Sequence, residues 1–196
     1  SWAVVFGDEQ ATRIVLATFP GEHEKQVAGM LKAVLLSARL DDSSQAKAEV
    51  NDGYQLVVSA KLPEKDIRGA VQIYSRNVQN RQPGQLSAVF VLSPMMLTVP
   101  ADDRRAFASN RLMKAEGYTI DGLESSQNVM VDGMDGYEFV AHATDKQSGS
   151  KLVVYQLHLF SRDRYVQIQS VMDAAGREEF LPEIKAMARS VKRKRD

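Results

Sequence analysis

Residues 151–191 read KLVVYQLHLFSRDRYVQIQSVMDAAGREEFLPEIKAMARSV and carry the clearest secondary-structure pattern in the chain. Apolar and β-branched residues predict two strands, 151–160 and 165–172, joined by a tight turn at Arg162 and Asp163. Apolar residues at helical spacing then predict a closing helix over 176–191. The segment is therefore predicted to form a β-hairpin followed by a helix.

A weaker copy of this order of elements opens the chain. Residues 3–6 and 13–19 predict a hairpin, and an apolar stripe over 27–38 predicts the helix that follows it. We interpret residues 1–40 as the hairpin and helix that end a first repeat whose earlier strands lie upstream. A hairpin and one helix are barely stable alone, so self-association through residues 1–40 is one hypothesis for their role.

The remaining sequence predicts one larger domain. Residues 41–48 are small and polar and are interpreted as a linker, so that the domain covers 49–196. Strands outnumber helices there, and short turns join neighbouring strands. This pattern favours an α+β fold, in which helices pack on both faces of an antiparallel β-meander as an α/β/α sandwich. Residues 86–92 form the most continuous apolar strand and are predicted to lie inside the sheet.

Composition excludes several classes of site. The 196 residues include 25 Lys plus Arg, 25 Asp plus Glu and no cysteine. The balanced charge argues against a nucleic-acid partner, and the lack of cysteine excludes disulfides, thiolate metal sites and Cys nucleophiles. No apolar run reaches the roughly 20 residues of a membrane-spanning helix. Phosphate-loop, zinc and common hydrolase motifs are absent too, so no cofactor or metal is predicted.

Residues 53–191 resemble the PsbP-like superfamily, which includes a photosystem extrinsic protein, a Ran-binding nuclear-transport factor and bacterial DcrB-like proteins. The resemblance lies in a strand leading into a helix at 102–116, a Gly-rich turn at 132–136 before an aromatic strand, and a C-terminal helix ending at Ser190. It implies helices on an antiparallel sheet and a binding, assembly or adaptor role without catalytic residues. It also favours a periplasmic or secreted protein, with a cytoplasmic location as the alternative.

Strand register suggests one candidate site. A two-residue turn pairs His158 with Gln167 and Gln156 with Gln169. Matching polar and apolar faces on the preceding strand then places Glu138 near His158. The resulting polar face comprises Glu138, His142, Gln156, His158, Gln167 and Gln169.

Three functions remain open from the sequence. The first is a non-enzymatic binding or assembly module that uses this polar face to contact a protein partner or ligand. The second is a small hydrolase-like enzyme in which Glu138 and His158 form an acid–base pair. The third is self-association through residues 1–40, which would give a homodimer.

Overall fold

The computed structural model describes residues 53–77 and 86–194, together with the backbone of residues 2–7 and 12–17. The chain divides into two compact units, Ser1–Glu49 and Val50–Asp196. In the first unit, β1 (Trp2–Gly7) and β2 (Thr12–Ala17) form an antiparallel hairpin. The predicted helix at 27–38 and linker at 41–48 lie outside the described residues, and the repeat and the self-association stay predictions.

A seven-stranded antiparallel sheet forms the second unit. Its strands are β4 (Glu64–Arg68), β5 (Val71–Arg76), β6 (Ala88–Met95), β7 (Tyr118–Val131), β8 (Met134–Asp145), β9 (Lys151–Phe160) and β10 (Tyr165–Asp173). Their order across the sheet is β4-β5-β6-β10-β9-β8-β7. The predicted meander is therefore present, and β6 lies inside the sheet as its continuous apolar sequence indicates.

Two helices cover opposite faces of this sheet and confirm the predicted α+β fold. Helix α1 (Arg104–Met113) packs Ala108 and Leu112 on one face, and helix α2 (Arg177–Arg189) packs Phe180 and Ile184 on the other. Short 3-10 turns, Ala101–Asp103 and Ala174–Gly176, precede them. The sequence also predicts a side-chain cap for α1 from Asp102 or Asp103. That prediction is wrong, because Asp103 occupies the N-cap position of α1 but its side chain makes no capping hydrogen bond.

The strand assignments at the start of the larger unit differ from the sequence prediction. Residues 54–60 are predicted to be a strand, but only β3 (Tyr54–Gln55) is extended and paired. Its partner is β11 (Lys192–Arg193), which belongs to a basic tail that the sequence predicts to be solvated. Arg193 donates its backbone N–H to Asp132 at 2.9 Å, so the tail is attached to the turn between β7 and β8. This pairing joins residues far apart in sequence, which a local pattern does not show.

The turn between β7 and β8 uses its two glycines for different purposes. Asp132 and Gly133 both have positive φ, 49° and 72°, as a tight type I′ hairpin requires. Gly136 has no such angle, but a Cβ there would come within 2.7 Å of Leu159 Cδ2 and 2.8 Å of the His158 carbonyl oxygen. Glycine at 136 therefore allows β8 to lie close to β9.

Candidate functional site: the amide groove beside helix α1

Half of the predicted polar face forms as the sequence indicates. Strands β9 and β10 pair His158 with Gln167 and Gln156 with Gln169, which is the predicted register. The turn at 162–163 fixes this register because Phe160 and Tyr165 face each other across it. These four polar residues lie on the sheet face that α1 covers.

For the other half of the polar face, the predicted register between β8 and β9 is wrong by one residue. Strand β8 pairs Glu138 with Leu157 and His142 with Val153, whereas the prediction placed Glu138 near His158. Since side chains alternate between the faces of a strand, this shift moves Glu138 and His142 to the face under α2. Glu138 and His158 thus project from opposite faces of the sheet and do not form the predicted acid–base pair.

Glu138 instead belongs to a buried ion pair. Its side chain is 1% exposed and accepts hydrogen bonds from Arg189 Nε and Nη2 at 3.2 and 3.0 Å. The Tyr155 hydroxyl donates at 2.9 Å, and Gln127 Nε2 donates as well. Burial alone raises the pKa of Glu138, but these bonds, led by those from Arg189, outweigh it and hold the pKa below its ordinary value. The carboxylate attaches α2 to the sheet.

His142 also has a partner under α2. Its Nε2 lies 3.4 Å from Glu124 Oε2, and the same carboxylate accepts hydrogen bonds from Arg177. Arg177 is the first residue of α2, and Glu124 belongs to β7 at a break in its register with β8. The sequence predicted a carboxylate–imidazole contact between Glu138 and His158, which is wrong, and it did not predict this contact between Glu124 and His142.

A groove of about 580 Å³ opens between α1 and the polar residues of β10, and we call it the amide groove. Gln167 and Gln169 line it from the sheet. Its other side comes from α1 and the turn that follows, through Phe107, Asn110, Arg111, Lys114, Ala115 and Glu116. Two of the six predicted site residues therefore line a groove directly.

The polar side chains of the amide groove are connected in a directional chain. Arg111 Nη2 donates to Gln167 Oε1 at 3.4 Å, and Gln167 Nε2 donates to Gln169 Oε1 at 3.4 Å. Gln169 Nε2 then donates to the Tyr118 hydroxyl at 2.5 Å. Each glutamine amide keeps one hydrogen on its NH₂ group and one lone pair on its oxygen. The amides therefore present both donors and acceptors to the groove.

His158 and Gln156 lie buried next to the amide groove. Both side chains are fully buried, and the His158 ring stands edge to face with Phe107, their centroids 5.9 Å apart. Gln156 Nε2 donates to the Ala108 carbonyl at 2.7 Å, but Gln156 Oε1 and both His158 ring nitrogens make no hydrogen bond of ordinary length within the described residues. Burial, aided by the charge of Arg111, lowers the pKa of His158 to about 4, so the imidazole is neutral at pH 7. A longer contact with the Gln167 side chain favours the charged form of His158 and partly opposes the effect of burial on its pKa.

Sequence reasoning missed the contribution of α1 to this site. Phe107, Arg111 and Lys114 are predicted only as parts of a surface helix with a thin apolar face. The signal available was their spacing, since residues 107, 111 and 114 follow the i, i+4, i+7 pattern of one helix face. Which sheet residues that face would meet depends on the crossover from β6 to β7, and the sequence pattern does not fix its course.

Within residues 53–77 and 86–194, no three His, Asp or Glu side chains lie close enough together to hold a metal ion. None of the helices in those ranges has the length and apolar character needed to cross a bilayer.

The chain is an α+β protein, with an antiparallel sheet between two helices and a polar groove beside α1. No protein-family model matches the chain, and no curated protein matches it significantly. Among solved structures, it is similar to a protein of unknown function from Pseudomonas aeruginosa, with 12% identity over 100% of both chains and a TM-score of 0.49.

Two further solved structures match parts of the chain. LpqN of Mycobacterium tuberculosis, described as involved in cell envelope biogenesis, has 14% identity over 72% of this chain and 78% of its own, with a TM-score of 0.44. PsbP from the cyanobacterium Synechocystis has 10% identity over 81% of this chain and 99% of its own, with a TM-score of 0.39. A PsbP structure, from the superfamily that the sequence resembles, is thus among the matches.

Proposed function

We propose that this chain is a non-enzymatic binding module that holds a partner or ligand in the amide groove. The observation that carries the proposal is the pair of buried side chains behind the groove. Gln156 Oε1 and the two His158 ring nitrogens make no hydrogen bond of ordinary length within the described residues, and His158 has only a long contact with Gln167 of the groove wall. They lie next to Phe107, Gln167 and Gln169, which line the groove.

Unpartnered buried atoms are costly to a fold. Each buried donor or acceptor without a hydrogen bond costs about 1–3 kcal/mol, and native proteins contain few of them. Two such side chains beside one groove favour a role in recognition over a role in stability, because apolar residues would fill the same space at lower cost. The groove, about 580 Å³ in volume and open to solvent, has room for a small organic ligand.

The alternative hydrolase-like function has lost its geometric basis. It required Glu138 and His158 to face each other, but β8 pairs Glu138 with Leu157 and turns it toward α2. The carboxylate is already engaged by Arg189 and Tyr155. His158 is fully buried and neutral at pH 7, and no salt bridge in the described part of the chain links it to a carboxylate, so the arrangement lacks the acid–base partner that proton transfer requires.

The proposal includes a compartment. The PsbP-like resemblance of the sequence favours a periplasmic or secreted protein. Fractionation of the source cells should recover the chain with periplasmic or secreted marker proteins. Recovery with cytoplasmic markers alone would reject this part of the proposal and leave the binding role intact.

Photo-crosslinking tests the binding role. Benzoylphenylalanine is placed at Asn110 in the amide groove and, in a second protein, at the exposed residue Lys146 between β8 and β9. We expect an adduct in source-cell extract from position 110 and none from position 146. Wild-type protein without the crosslinking residue, added in excess before irradiation, should prevent the adduct from forming.

Competitor variants decide whether the groove makes the contact. A Gln167→Ala/Gln169→Ala competitor should not reduce the yield of adduct, because it lacks the two amides that line the groove from the sheet. Gln147→Ala, which changes an exposed glutamine in the 146–150 loop, should compete like wild type. Equal competition by both variants, or an adduct from position 146 alone, would contradict the proposal.

A further inference from the structure

We propose that the amide groove recognises an organic monocarboxylate with an apolar body, which places its carboxylate at Arg111 and Lys114 and its apolar part against Phe107. This inference rests on the proposed binding function and names the chemistry of the ligand. It follows from the charge, the donor geometry and the apolar wall of the groove.

The charge of the groove favours an anion of charge −1. Arg111 lies in the last turn of α1, Lys114 caps the C-terminal end of that helix, and Glu116 lies on the turn that follows; all three line the groove. Two cations and one carboxylate leave the lining with a net charge of +1. Neither Arg111 nor Lys114 forms a salt bridge with a carboxylate in residues 53–77 and 86–194.

Donor geometry favours a carboxylate at this position. A guanidinium offers five N–H groups in a planar fork that matches the two oxygens of a carboxylate. Arg111 uses one nitrogen to donate to Gln167 Oε1, and this bond orients the fork over β10. Arg111 keeps further N–H groups and each glutamine NH₂ group keeps a second hydrogen, and all three side chains line this groove. His158, neutral at pH 7, adds no competing charge there.

An apolar wall accounts for the rest of the ligand. The Phe107 ring and the Ala115 side chain line the groove beside the charged end. Phe107 is half-buried and packs edge to face on Tyr165, with centroids 5.2 Å apart, so the ring is held in place. A group that carries only an anion, such as phosphate or acetate, leaves this wall unused. The carboxylate can belong to a free acid or to the C-terminus of a peptide, because both present the same chemistry.

Titration calorimetry with defined probes tests the inference. The probes are 3-phenylpropionate, acetate, 3-phenylpropionamide and inorganic phosphate, so that charge and apolar body are removed one at a time. We expect 3-phenylpropionate to bind about tenfold or more tightly than each of the other three. A peptide that ends in phenylalanine, compared with its C-terminal amide, then distinguishes a chain terminus from a free acid.

Two matched variants separate a built site from general attraction to a basic helix. Arg111→Gln should weaken 3-phenylpropionate about tenfold. Arg105→Gln removes another exposed arginine of α1 that does not line the groove, and it should leave the affinity unchanged. Both changes are at exposed positions, and circular dichroism checks that both proteins fold.

Equal binding of phosphate and 3-phenylpropionate, equal loss in both variants, or no binding of any probe would overturn the carboxylate assignment. The crosslinking result at Asn110 would stand in each of these cases, because it does not depend on the chemistry of the probe. A groove that crosslinks its partner but ignores carboxylates would therefore reject this inference while retaining the proposed function.

Discussion

Arg189 donates two hydrogen bonds to Glu138, from Nε at 3.2 Å and from Nη2 at 3.0 Å, and so connects the end of α2 to the middle of β8. The two partners differ in exposure, since the Glu138 side chain is 1% exposed and that of Arg189 is 48% exposed. Removing one partner therefore has a different consequence from removing the other, because a half-exposed guanidinium regains water and a buried carboxylate does not.

We expect Arg189→Met to lower the free energy of unfolding by about 2–3 kcal/mol, because it leaves the buried carboxylate with fewer charged donors. Glu138→Gln should cost about 1 kcal/mol, since Tyr155 can still donate to the amide oxygen. Urea denaturation at pH 7 measures both. The double variant should lose less than the sum of the two single losses, and strict additivity would show that the pair is not coupled.

Buried His158 should make stability depend on pH. Its pKa is about 4 in the folded chain, against 6.5 for the unconstrained side chain. Between these values the unfolded state binds more protons, so the free energy of unfolding falls as pH decreases from 6.5 to 4. The expected loss is about 3 kcal/mol, and it levels off below pH 4 where both states are protonated.

His158→Phe should remove this pH dependence, because phenylalanine does not titrate. Denaturation curves at several pH values between 4 and 7 provide the measurement. The wild-type curve at each pH is the reference for the slope. A wild-type slope that persists in His158→Phe would mean that other groups cause the acid loss.

The register of β8 on β9 can be checked with engineered cysteines, because the natural chain has none. Thr144 and Lys151 face each other across the two strands, and Lys151 Nζ lies 2.8 Å from Thr144 Oγ1. Thr144→Cys/Lys151→Cys should therefore form a disulfide under mild oxidation. Thr144→Cys/Leu152→Cys should not, because Leu152 projects from the opposite face. Mass spectrometry after thiol alkylation distinguishes the two, and the reverse result would restore the register expected from the sequence.

Gly136 should tolerate no side chain. An added Cβ meets the backbone oxygen of His158 at 2.8 Å, so Gly136→Ala must push β8 away from β9. We expect it to lower the free energy of unfolding by about 1–3 kcal/mol. Gly122→Ala is the matched control, because a Cβ there meets no atom within 4 Å, and it should change stability by less than about 0.5 kcal/mol. Equal effects in a thermal denaturation series would argue against the close approach.

The parts of the site that the sequence predicted correctly are those fixed by a short turn. Gln156, His158, Gln167 and Gln169 lie on one hairpin, and its tight turn permits a single register. The connection from β8 to β9 runs through residues 146–150, so its length and geometry leave more than one register open. Matching polar with polar residues then selected the wrong register.

The burial of Glu138 could not be deduced from β8 and β9 alone. Its charge is compensated by Arg189 on α2, which is 51 residues away in the chain. A carboxylate in a strand normally indicates a solvent-facing position, and a tertiary ion pair reverses that expectation. Phe107 and Arg111 were missed for a similar reason, since the groove depends on where α1 crosses the sheet.

NMR of the glutamines that line the amide groove tests most directly whether the groove is the recognition site. In a ¹⁵N-labelled protein, the side-chain NH₂ signals of Gln167 and Gln169 are followed while a library of small neutral and anionic organic fragments is added. Exposed Gln147, whose backbone N–H bonds Asp145 at 3.0 Å in the distant 146–150 loop, serves as the internal reference. We predict that the fragments that bind shift the Gln167 and Gln169 signals and leave Gln147 in place. Binding that shifts other surfaces and leaves both groove signals unchanged, or no binding across the library, would contradict the claim that the groove is the recognition site.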